Sequence, residues 1–330
     1  MSVNLKSSVS RLSGKTVLVV GDVILDEYIT GRATRMSREA PVPVLELESK
    51  RFIAGGAANP AANIVALGSR AIQVGAIGAD ENGEQLLRVL NDQGIDWAGV
   101  LTCTDRPTTV KTRIMAQMGL RFPQQVTRID TISRDPIDEA TEAKIVGFLG
   151  DNISSLDAAL LSQYHGGLLT AALVKRIRDL CRRHSVLLTA DVQGKFARFA
   201  GVDVVKCNAA DAERQLNREL ATDEDFRAAA LSLHEEFSVK HATIVTMGNR
   251  GAALATDDGA TICPSPQVSD VFDTVGAGDT AIAVITLSLA AGLDAEDSVL
   301  LANYASGVVV RHLGNYAPSP EELSGSIDDG

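Results

Sequence analysis

Short apolar runs, typical of strands buried on both faces, recur along the chain between segments with helical periodicity. This alternation predicts an α/β fold with a doubly wound, mostly parallel sheet and helices on both faces. The predicted strands are 16–20, 71–77, 158–161, 186–190, 202–205 and 242–246, followed by 251–255 and 260–263. The predicted helices are 82–93, 138–149, 169–184, 223–236, 276–292 and 295–310.

Three other segments alternate apolar and polar side chains, as in a strand with one solvated face. Prolines at the start of the first segment favour an edge position, so these strands fit poorly in a buried sheet. The segments are 42–48, 108–115 and 124–130. We predict a β-lid from residues 28–53 and 100–130, a core from 14–27, 54–99 and 131–320, and polar tails at 1–13 and 321–330.

The run 273–280, Asp-Thr-Val-Gly-Ala-Gly-Asp-Thr, lacks periodicity and is followed by an apolar run that predicts a buried helix. Gly276, Ala277 and Gly278 would therefore lie at a helix N-terminus, where unpaired N–H groups and the helix dipole favour an anion. Asp279 places a carboxylate beside that site and suits a base that takes a proton from an attacking hydroxyl. The pattern indicates phosphoryl transfer to an alcohol.

Other interpretations of this run remain open. Gly-Ala-Gly before a helix is also a common tight turn, with Asp279 as a favourable first-turn charge. The spacing Gly276-x-Gly278-x-x-Ala281 fits a loose dinucleotide-binding pattern, but that pattern needs an apolar strand before it and another after the helix. A polar, proline-containing segment precedes it here, and no Gly-Lys-Ser/Thr follows as in a Walker A loop.

Further candidates follow the first predicted strand and begin the first predicted helix. Asp22 and Asp26 come after the strand, and ligands of open α/β sheets bind beyond the carboxyl ends of strands. Gly55 and Gly56 open a helix in which Asn59 offers an amide to a hydroxylated ligand. Two alternatives are equally open. Asp26, on the loop after the strand, could simply form a turn, and the small residues around Asn59 could simply let their helix pack closely.

Composition and charge narrow the class of protein. A core with 45% apolar but only 4% aromatic residues suits parallel strands covered by helices. A net charge of −11 argues against nucleic acid as a partner. Four cysteines without C-x-x-C spacing indicate reduced thiols of a cytoplasmic protein. The N-terminus lacks a secretory apolar region and the longest apolar run is too short to span a bilayer, so we expect no membrane partner.

Together these motifs resemble the PfkB (ribokinase-like) family of carbohydrate kinases. An N-terminal signature is matched by Gly55, Gly56, Asn59, Gly68 and Gly78, and a C-terminal signature by 273–279. Within the family, three segments are similar to the kinase half of the bifunctional heptose 7-phosphate kinase/adenylyltransferase, whose His-x-Gly-His motif this sequence lacks. Those segments are 35–44, 111–114 and 124–130.

The resemblance implies a ribokinase-like fold and an ATP-dependent kinase that phosphorylates a hydroxyl of a sugar or sugar phosphate, with Asp279 as base and 276–278 as anion hole. Implied substrate-binding residues are Asp26, Gly55, Gly56 and Asn59, to which we add Arg113, Arg128 and Lys195 as candidate phosphate ligands. Implied ATP-binding residues are Asn208, Asp211, Thr246, Gly248 and Asn303. Mg²⁺ would bridge the phosphates, Asp273 and the backbone near Gly314 would hold a monovalent cation such as K⁺, and the β-lid would mediate a homodimer.

The chain departs from the pattern it resembles. Asn-x-x-Glu reads Asn208-Ala-Ala-Asp211, so a metal contact would loosen or move to Glu213. Leu-Ser-Asp-Tyr-Gly-Lys-Gly reads Leu-Ser-Gln-Tyr-His-Gly-Gly at 161–167, and Asp-Pro-Lys-Gly reads Asp-Val-Gln-Gly at 191–194. Two expected lysines are therefore missing.

Other cations can replace those lysines. Lys195 lies two positions after Gln193, where a lysine was expected, and further candidates are Arg198, Arg113, Arg128 and Arg35. An equal alternative is that Lys195 and Arg198 only lie on a surface turn. A sugar phosphate is favoured only slightly over a neutral sugar or nucleoside. A non-catalytic sugar- or nucleotide-binding protein of the same fold is the competing class.

Overall fold

The computed structural model describes residues 5–117, 123–268 and 270–328. Its strands are β1 (Thr16–Gly21), β2 (Val23–Met36), β3 (Pro43–Gly56), β4 (Arg70–Gly78), β5 (Asp96–Cys103), β6 (Val110–Gln117), β7 (Gln124–Thr131), β8 (Ala158–Ser162), β9 (Leu187–Asp191), β10 (Val204–Asn208), β11 (Ala242–Thr246), β12 (Ala252–Thr256) and β13 (Gly259–Cys263). Its helices are α1 (Leu5–Val9), α2 (Ala58–Ala66), α3 (Glu81–Asp92), α4 (Glu139–Asn152), α5 (Ala171–His184), α6 (Ala209–Leu216), α7 (Asp223–Glu236), α8 (Ala277–Ala290), α9 (Ala295–Val309) and α10 (Pro320–Asp328).

The main sheet has the order β13-β12-β11-β10-β9-β8-β1-β4-β5. Neighbouring strands from β11 to β5 are parallel, and β12 and β13 add an antiparallel edge. Helices cover both faces because alternate residues of β1 enter different cores. Leu18 and Val20 pack with α4, α5 and α7, whereas Val17 and Val19 pack with α2, α8 and α9. The predicted doubly wound, mostly parallel sheet is confirmed.

Most helices of the core begin where the sequence supplies a cap. Helices α3, α4, α5, α7 and α9 each follow an Asp or Thr whose side chain accepts a first-turn backbone N–H. Such a cap satisfies a donor that has no partner within the helix. Helix α8 differs, because its N-cap is Gly276 with a left-handed φ of 84° and no side-chain cap. The first turn of α8 therefore has no side-chain cap, and the N–H of Ala277 donates to the Thr274 carbonyl at 3.4 Å.

A second sheet, with the order β3-β2-β6-β7, lies beside the main one. It begins earlier than the predicted boundary at residue 28, because β2 pairs with β3 from Val23 opposite Gly56 onward. Asp26 therefore lies within a strand and not on a loop. The predicted lid segment 100–130 also needs correction at its start, since β5 pairs with β4 at the edge of the main sheet. An edge strand with several exposed residues carries too weak a pattern to be recognised from sequence. Residues 118–122 of that segment lie outside the described residues.

The described parts of the two terminal segments, expected to be polar tails, form helices that pack on the core. Leu12, which follows α1, and Leu323 in α10 are both fully buried, and α1 contacts α10. A short helix that buries a single leucine shows no periodicity, which explains why these segments resembled tails. Among the described residues, no helix is long and apolar enough to cross a membrane.

We expect Leu323→Ala to lower the free energy of unfolding by about 2–4 kcal/mol, because truncating a buried leucine removes contacts and leaves a cavity. Urea-induced unfolding measures this loss. The matched control is Glu321→Ala in the same helix, where an exposed side chain should change stability by less than about 0.5 kcal/mol. Equal stability of all three proteins would mean that α10 does not contribute to the cooperative core.

Candidate active site

Polar side chains converge where the carboxyl ends of the central parallel strands meet. Asp22 follows β1, Tyr164 follows β8, and Asp191 ends β9. Lys206 lies in β10 two residues before its end. The N-terminus of α8 faces the same edge and brings Asp279, in its first turn, into contact with this group. Residues scattered over most of the chain therefore form one site.

Asp279 is the centre of the cluster and is only 8% exposed. Asn59 Nδ2 donates to its Oδ2 at 2.8 Å, and the Tyr164 hydroxyl donates to its Oδ1. Burial, followed by the negative charge of Asp191, raises the pKa of Asp279 to about 6, although both hydrogen bonds and the Lys206 charge act in the opposite direction. Above that pH the carboxylate is free to accept a proton. Its burial and its two donors set it apart from a simple first-turn charge.

Side chains approach the two glycines at the start of α8 closely. A Cβ on Gly276 would lie 2.8 Å from Asn59 Nδ2, and one on Gly278 would lie 2.9 Å from Lys206 Nζ. Backbone at a helix N-terminus with such small residues can approach an anion closely. Among the described residues between β13, which ends at Cys263, and this helix, there is no strand. The dinucleotide-binding interpretation is therefore wrong in this context.

A buried ion pair underlies this loop and was missed in the sequence. Lys206 Nζ lies 3.0 Å from both carboxylate oxygens of Asp191, and both side chains are buried. Burial alone would lower the pKa of Lys206, but the negative charges of Asp191 and Asp279 raise it. The ammonium therefore stays charged beside Gly278. A lysine within an otherwise apolar strand was the signal that could have revealed it.

Asp26 and the glycine pair lie on the lid side of the same cluster. Asp26 is buried, forms an ion pair with Arg113, and accepts a hydrogen bond from Asn315 Nδ2 at 3.1 Å. A Cβ on Gly55 would lie 2.1 Å from Asp26 Oδ2, and Gly56 adopts a left-handed φ of 57°. Both glycines therefore let the backbone pass close to Asp26 and Asp22.

Asn315 links the lid side of the site to Asn59. Its Oδ1 lies 3.5 Å from Asn59 Nδ2, while its own amide donates to Asp26. Asn315 lies in an irregular segment after the last core helix, and no sequence pattern marks it. The four substrate-binding positions implied by the resemblance, with Asn315 added, are therefore brought together with Asp279.

Two of the predicted phosphate ligands are placed differently. Arg128 lies opposite Arg113 in the lid sheet, and its guanidinium binds Asp130 at 2.8 and 2.9 Å. Lys195 is exposed, with a left-handed φ of 53°, on the loop after β9. Burial lowers the pKa of His165, and the nearby charge of Lys195 lowers it further. Lys195 thus stands beside the loop that carries Tyr164, outside the Asp279 cluster.

A cavity of about 730 Å³ opens on the other side of the α8 N-terminus. Thr274 and Ala277 line it, which connects the cavity to the start of α8. Three of the predicted ATP-binding residues also line it: Asn208, Thr246 and Gly248. Pro266 and Val271 supply an apolar wall.

The other two predicted ATP-binding residues support this cavity without lining it. Asn303 Nδ2 donates to the carbonyls of Cys263 and Pro264, both at 3.0 Å, and so fixes the chain that leads into the apolar wall. Asp211 is buried and forms an ion pair with Arg214, while its N–H donates to Asn208 Oδ1 at 2.8 Å. Both residues thus hold in place the segments that form the cavity wall.

The residues proposed for a monovalent cation are neighbours. Asp273 Oδ2 accepts the N–H of Gly314 at 2.9 Å, and its Oδ1 accepts the N–H of Val275 at 3.0 Å. Both of these contacts are N–H groups, which do not ligate a cation, so the Asp273 carboxylate supplies the oxygen atoms of the predicted site. Within the described ranges, no cluster of three His, Cys, Asp or Glu side chains could hold a metal by itself.

Asp22 anchors the loop that carries Tyr164. Its Oδ2 accepts the N–H groups of Tyr164 and Gly166, both at 2.9 Å, and its Oδ1 accepts that of Leu168 at 3.2 Å. The carboxylate predicted as a site residue thus acts on the loop backbone. Tyr164 itself was missed as a site residue, since an aromatic residue in a short polar segment gives no periodic signal.

Comparison with known proteins agrees with this geometry. Residues 15–322 match the pfkB family of carbohydrate kinases. The bifunctional protein HldE of Hyphomonas neptunium is 37% identical over 330 residues, covering 99% of this chain and 66% of that protein. The HldE of Geobacter metallireducens is 35% identical over 325 residues, covering 98% and 65%. The chain therefore spans about two thirds of the length of these curated relatives.

Solved structures show the same architecture. Arabidopsis thaliana ribokinase, complexed with ribose and ATP, superposes with a TM-score of 0.73 at 19% identity, covering 96% of this chain and 99% of that one. Escherichia coli phosphofructokinase-2, in complex with potassium, gives a TM-score of 0.75 at 18% identity with the same coverage. Identities this low show the fold alone, which is the predicted ribokinase-like one. Since the family match covers nearly all of the sequence, the chain belongs to the pfkB family of carbohydrate kinases.

Proposed function

We propose that the protein transfers the γ-phosphate of ATP to a hydroxyl of a sugar or sugar phosphate, with Asp279 as the general base. The observation that carries this proposal is the position of Asp279. It is a buried carboxylate with a pKa of about 6, one residue from the anion-binding loop and bordered by a nucleotide-sized cavity. Base and phosphate site therefore meet within a single helical turn.

The proposed reaction follows from this arrangement. An oxygen of Asp279 accepts the proton of the acceptor hydroxyl, and the hydroxyl oxygen bonds to the γ-phosphorus. The bond between that phosphorus and the oxygen bridging it to the β-phosphate breaks, and ADP leaves with its electron pair. Backbone N–H groups of residues 276–278 and the Lys206 ammonium stabilise the charge of the transferring group.

ATP is assigned to the cavity lined by Asn208, Thr246 and Gly248. Its apolar wall suits a base, and its connection to the α8 N-terminus directs the phosphates toward Asp279. Mg²⁺ would neutralise the phosphates and be held largely by them and by water, with Asn208 in the cavity wall and Asp211 beneath it. The Asp273–Gly314 contact is the candidate K⁺ site, by analogy with the potassium complex of phosphofructokinase-2.

The acceptor is assigned to the space between Asp26, Asn59 and Asp279. Carboxylate and amide groups there suit sugar hydroxyls. Of the three candidate phosphate ligands, Arg113 is paired with Asp26 and Arg128 with Asp130. We therefore assign a phosphate already on the sugar to Lys195, which is exposed. A charged phosphate in a closed site requires such a partner.

A panel of sugars and their phosphate esters, assayed for ADP release with Mg·ATP, tests this proposal. We expect a phosphosugar to have a higher kcat/KM than its dephosphorylated form, and Lys195→Ala to lower that value about tenfold through loss of a charged hydrogen bond. Lys175→Ala, at another exposed lysine, is the control. Turnover of the neutral sugar alone, unaffected by Lys195→Ala, would indicate a sugar or nucleoside kinase. ATP binding without any turnover would indicate a binding protein.

Asp279→Asn should retain ATP binding and lower kcat about 10²–10⁴-fold, because the amide cannot accept the hydroxyl proton. In the wild type, kcat/KM should fall as the pH drops below about 6, where Asp279 becomes protonated. The control is Asp297→Asn, in the first turn of the neighbouring helix α9, which should leave kcat unchanged. A near-normal kcat for Asp279→Asn would mean that Asp279 is not the base and only provides a favourable charge in the first turn of α8.

Stability provides a check on the same variant. A raised pKa means that the folded protein binds this proton more tightly than the unfolded chain. The free energy of unfolding therefore falls as the pH rises from the ordinary pKa of 3.8 to about 6, and the full loss is present above that pH. Asparagine removes that charge. The thermal unfolding temperature of Asp279→Asn at neutral pH should therefore not fall below that of the wild type, which separates lost chemistry from lost folding.

We also propose a homodimer through the lid sheet. Large apolar side chains stay exposed there, including Leu47 at 68% and Ile129 at 58%. A second copy of the chain is the expected occupant, because related kinases of the fold include the tetrameric phosphofructokinase-2 of Escherichia coli. Sedimentation should show a dimer for the wild type and for Trp97→Glu, and a monomer for Leu47→Glu with Ile129→Glu. A monomeric wild type would refute the lid interface.

A further inference from the structure

We propose that Tyr164 is a positioning residue for the base, whose hydroxyl fixes the Asp279 carboxylate and keeps it ionised while the acceptor binds. This inference rests on the proposed function. Tyr164 acts through Asp279 and is not assigned a contact with the substrate. Its position in the structure is fixed from three directions, by the lid, by the loop after β8 and by α8.

The hydrogen bonds around Asp279 define the orientation of its carboxylate. The Tyr164 hydroxyl binds Oδ1 and the Asn59 amide binds Oδ2, so each oxygen has one donor. A carboxylate oxygen can accept a further hydrogen bond, which leaves each oxygen able to receive the acceptor hydroxyl. Two donors from separate elements therefore hold the carboxylate plane in place without occupying the base.

Tyr164 is itself held at its backbone by Asp22. The N–H of Tyr164 donates to Asp22 Oδ2, and the same carboxylate binds two more N–H groups of the loop, of Gly166 and Leu168. A Cβ on Gly166 would lie 2.7 Å from Asp22 Oδ1, so the loop can wrap this carboxylate only with glycine there. The loop is therefore fixed where the Tyr164 side chain reaches Asp279.

The lid covers the Tyr164 ring. Lys111 Nζ, from β6, lies 5.3 Å from the ring centroid, within the range of a cation–π contact. Lys111 is directly opposite Asp26 in the lid sheet, so the residue that covers Tyr164 neighbours the proposed sugar site. The Tyr164 ring thus lies between the lid and the base.

The groups around Asp279 act on its pKa in opposite directions, and the tyrosine hydroxyl is one of those that lower it. Burial and the Asp191 carboxylate of β9 raise the pKa of Asp279. The hydrogen bonds from Tyr164 and Asn59 and the Lys206 ammonium of β10 lower it. The lid adds the Asp26–Arg113 pair and Lys111, and the loop after β8 adds Asp22, which binds the N–H of Tyr164, and the neighbouring His165.

Tyr164 donates its proton to a hydrogen bond and does not transfer it. Burial, and then the charges of Asp279 and Asp191, raise the pKa of Tyr164 well above its usual value. The hydroxyl therefore stays protonated over the whole range in which Asp279 changes charge, and it can act as a constant donor.

Tyr164→Phe tests the proposal because it removes only the hydroxyl. The acidic limb of the kcat/KM profile should move upward by about one pH unit, since loss of a hydrogen bond to the ionised form raises a carboxyl pKa. At high pH, where Asp279 is ionised in both proteins, the difference in rate should narrow. Tyr304→Phe, a tyrosine of α9, is the matched control and should keep the wild-type profile.

A second variant and a direct measurement keep the test independent of turnover. Asp22→Asn retains the hydroxyl but weakens the loop anchor, and should shift the limb in the same direction by less. Carbon NMR titration of the Asp279 carboxyl, without substrates, should show a higher pKa in Tyr164→Phe than in the wild type. An identical titration in both proteins would overturn the proposal. A changed titration in proteins that never transfer phosphate would uphold the contact and refute the proposed kinase function.

Discussion

The burial of one carboxylate at the start of a helix is the constraint on which the rest of the site depends. Asp279 is nearly inaccessible to water, so its charge must be stabilised by groups that the fold supplies. Asn59, Tyr164 and Lys206 supply them from α2, from the loop after β8 and from β10. The positions of these elements are therefore coupled to the ionisation of a single group.

The Lys206–Asp191 ion pair connects that carboxylate to the centre of the sheet. Breaking a buried ion pair by removing one partner is costly, because the remaining charge is left uncompensated. The pair keeps a positive charge beneath Gly278 and a negative charge near Asp279. The same pair can thus support an anion at the loop and tune the neighbouring carboxyl. This explains why two charged residues are buried in the neighbouring strands β9 and β10.

The lid is continuous with the core, and this continuity places Asp26 beside the Asp279 cluster. Only Asp22 separates β1 from β2, so Asp26 is carried into the lid sheet only a few residues after leaving the core. The β3 strand returns to α2 through Gly55 and Gly56, which pass close to Asp26 and Asp22. Motion of the lid would therefore act directly on Asp26 and on Lys111 above Tyr164.

The sequence by itself determined the main sheet, most helices, and the helix-start motif with Asp279 and its glycines. Periodicity and turn chemistry are local properties, and the two signatures that resemble PfkB kinases are contiguous in the chain. Local patterns also placed Asp22, Asp26 and Asn59 at the correct end of the sheet. They failed for β5, for the terminal helices and for the strand that contains Asp26, where few residues carry the pattern.

Only the tertiary structure decided which polar residues meet. Tyr164, Lys206 and Asn315 reach the site because distant elements pack together, and no spacing along the chain encodes those contacts. Packing likewise separated Arg113 from Arg128, although the two residues lie opposite each other in the same sheet. Arg113 is half-buried against Asp26, whereas Arg128 is paired at the surface. The pKa of Asp279 also depends on burial and on charges from other strands, which are properties of the folded chain and not of its local sequence.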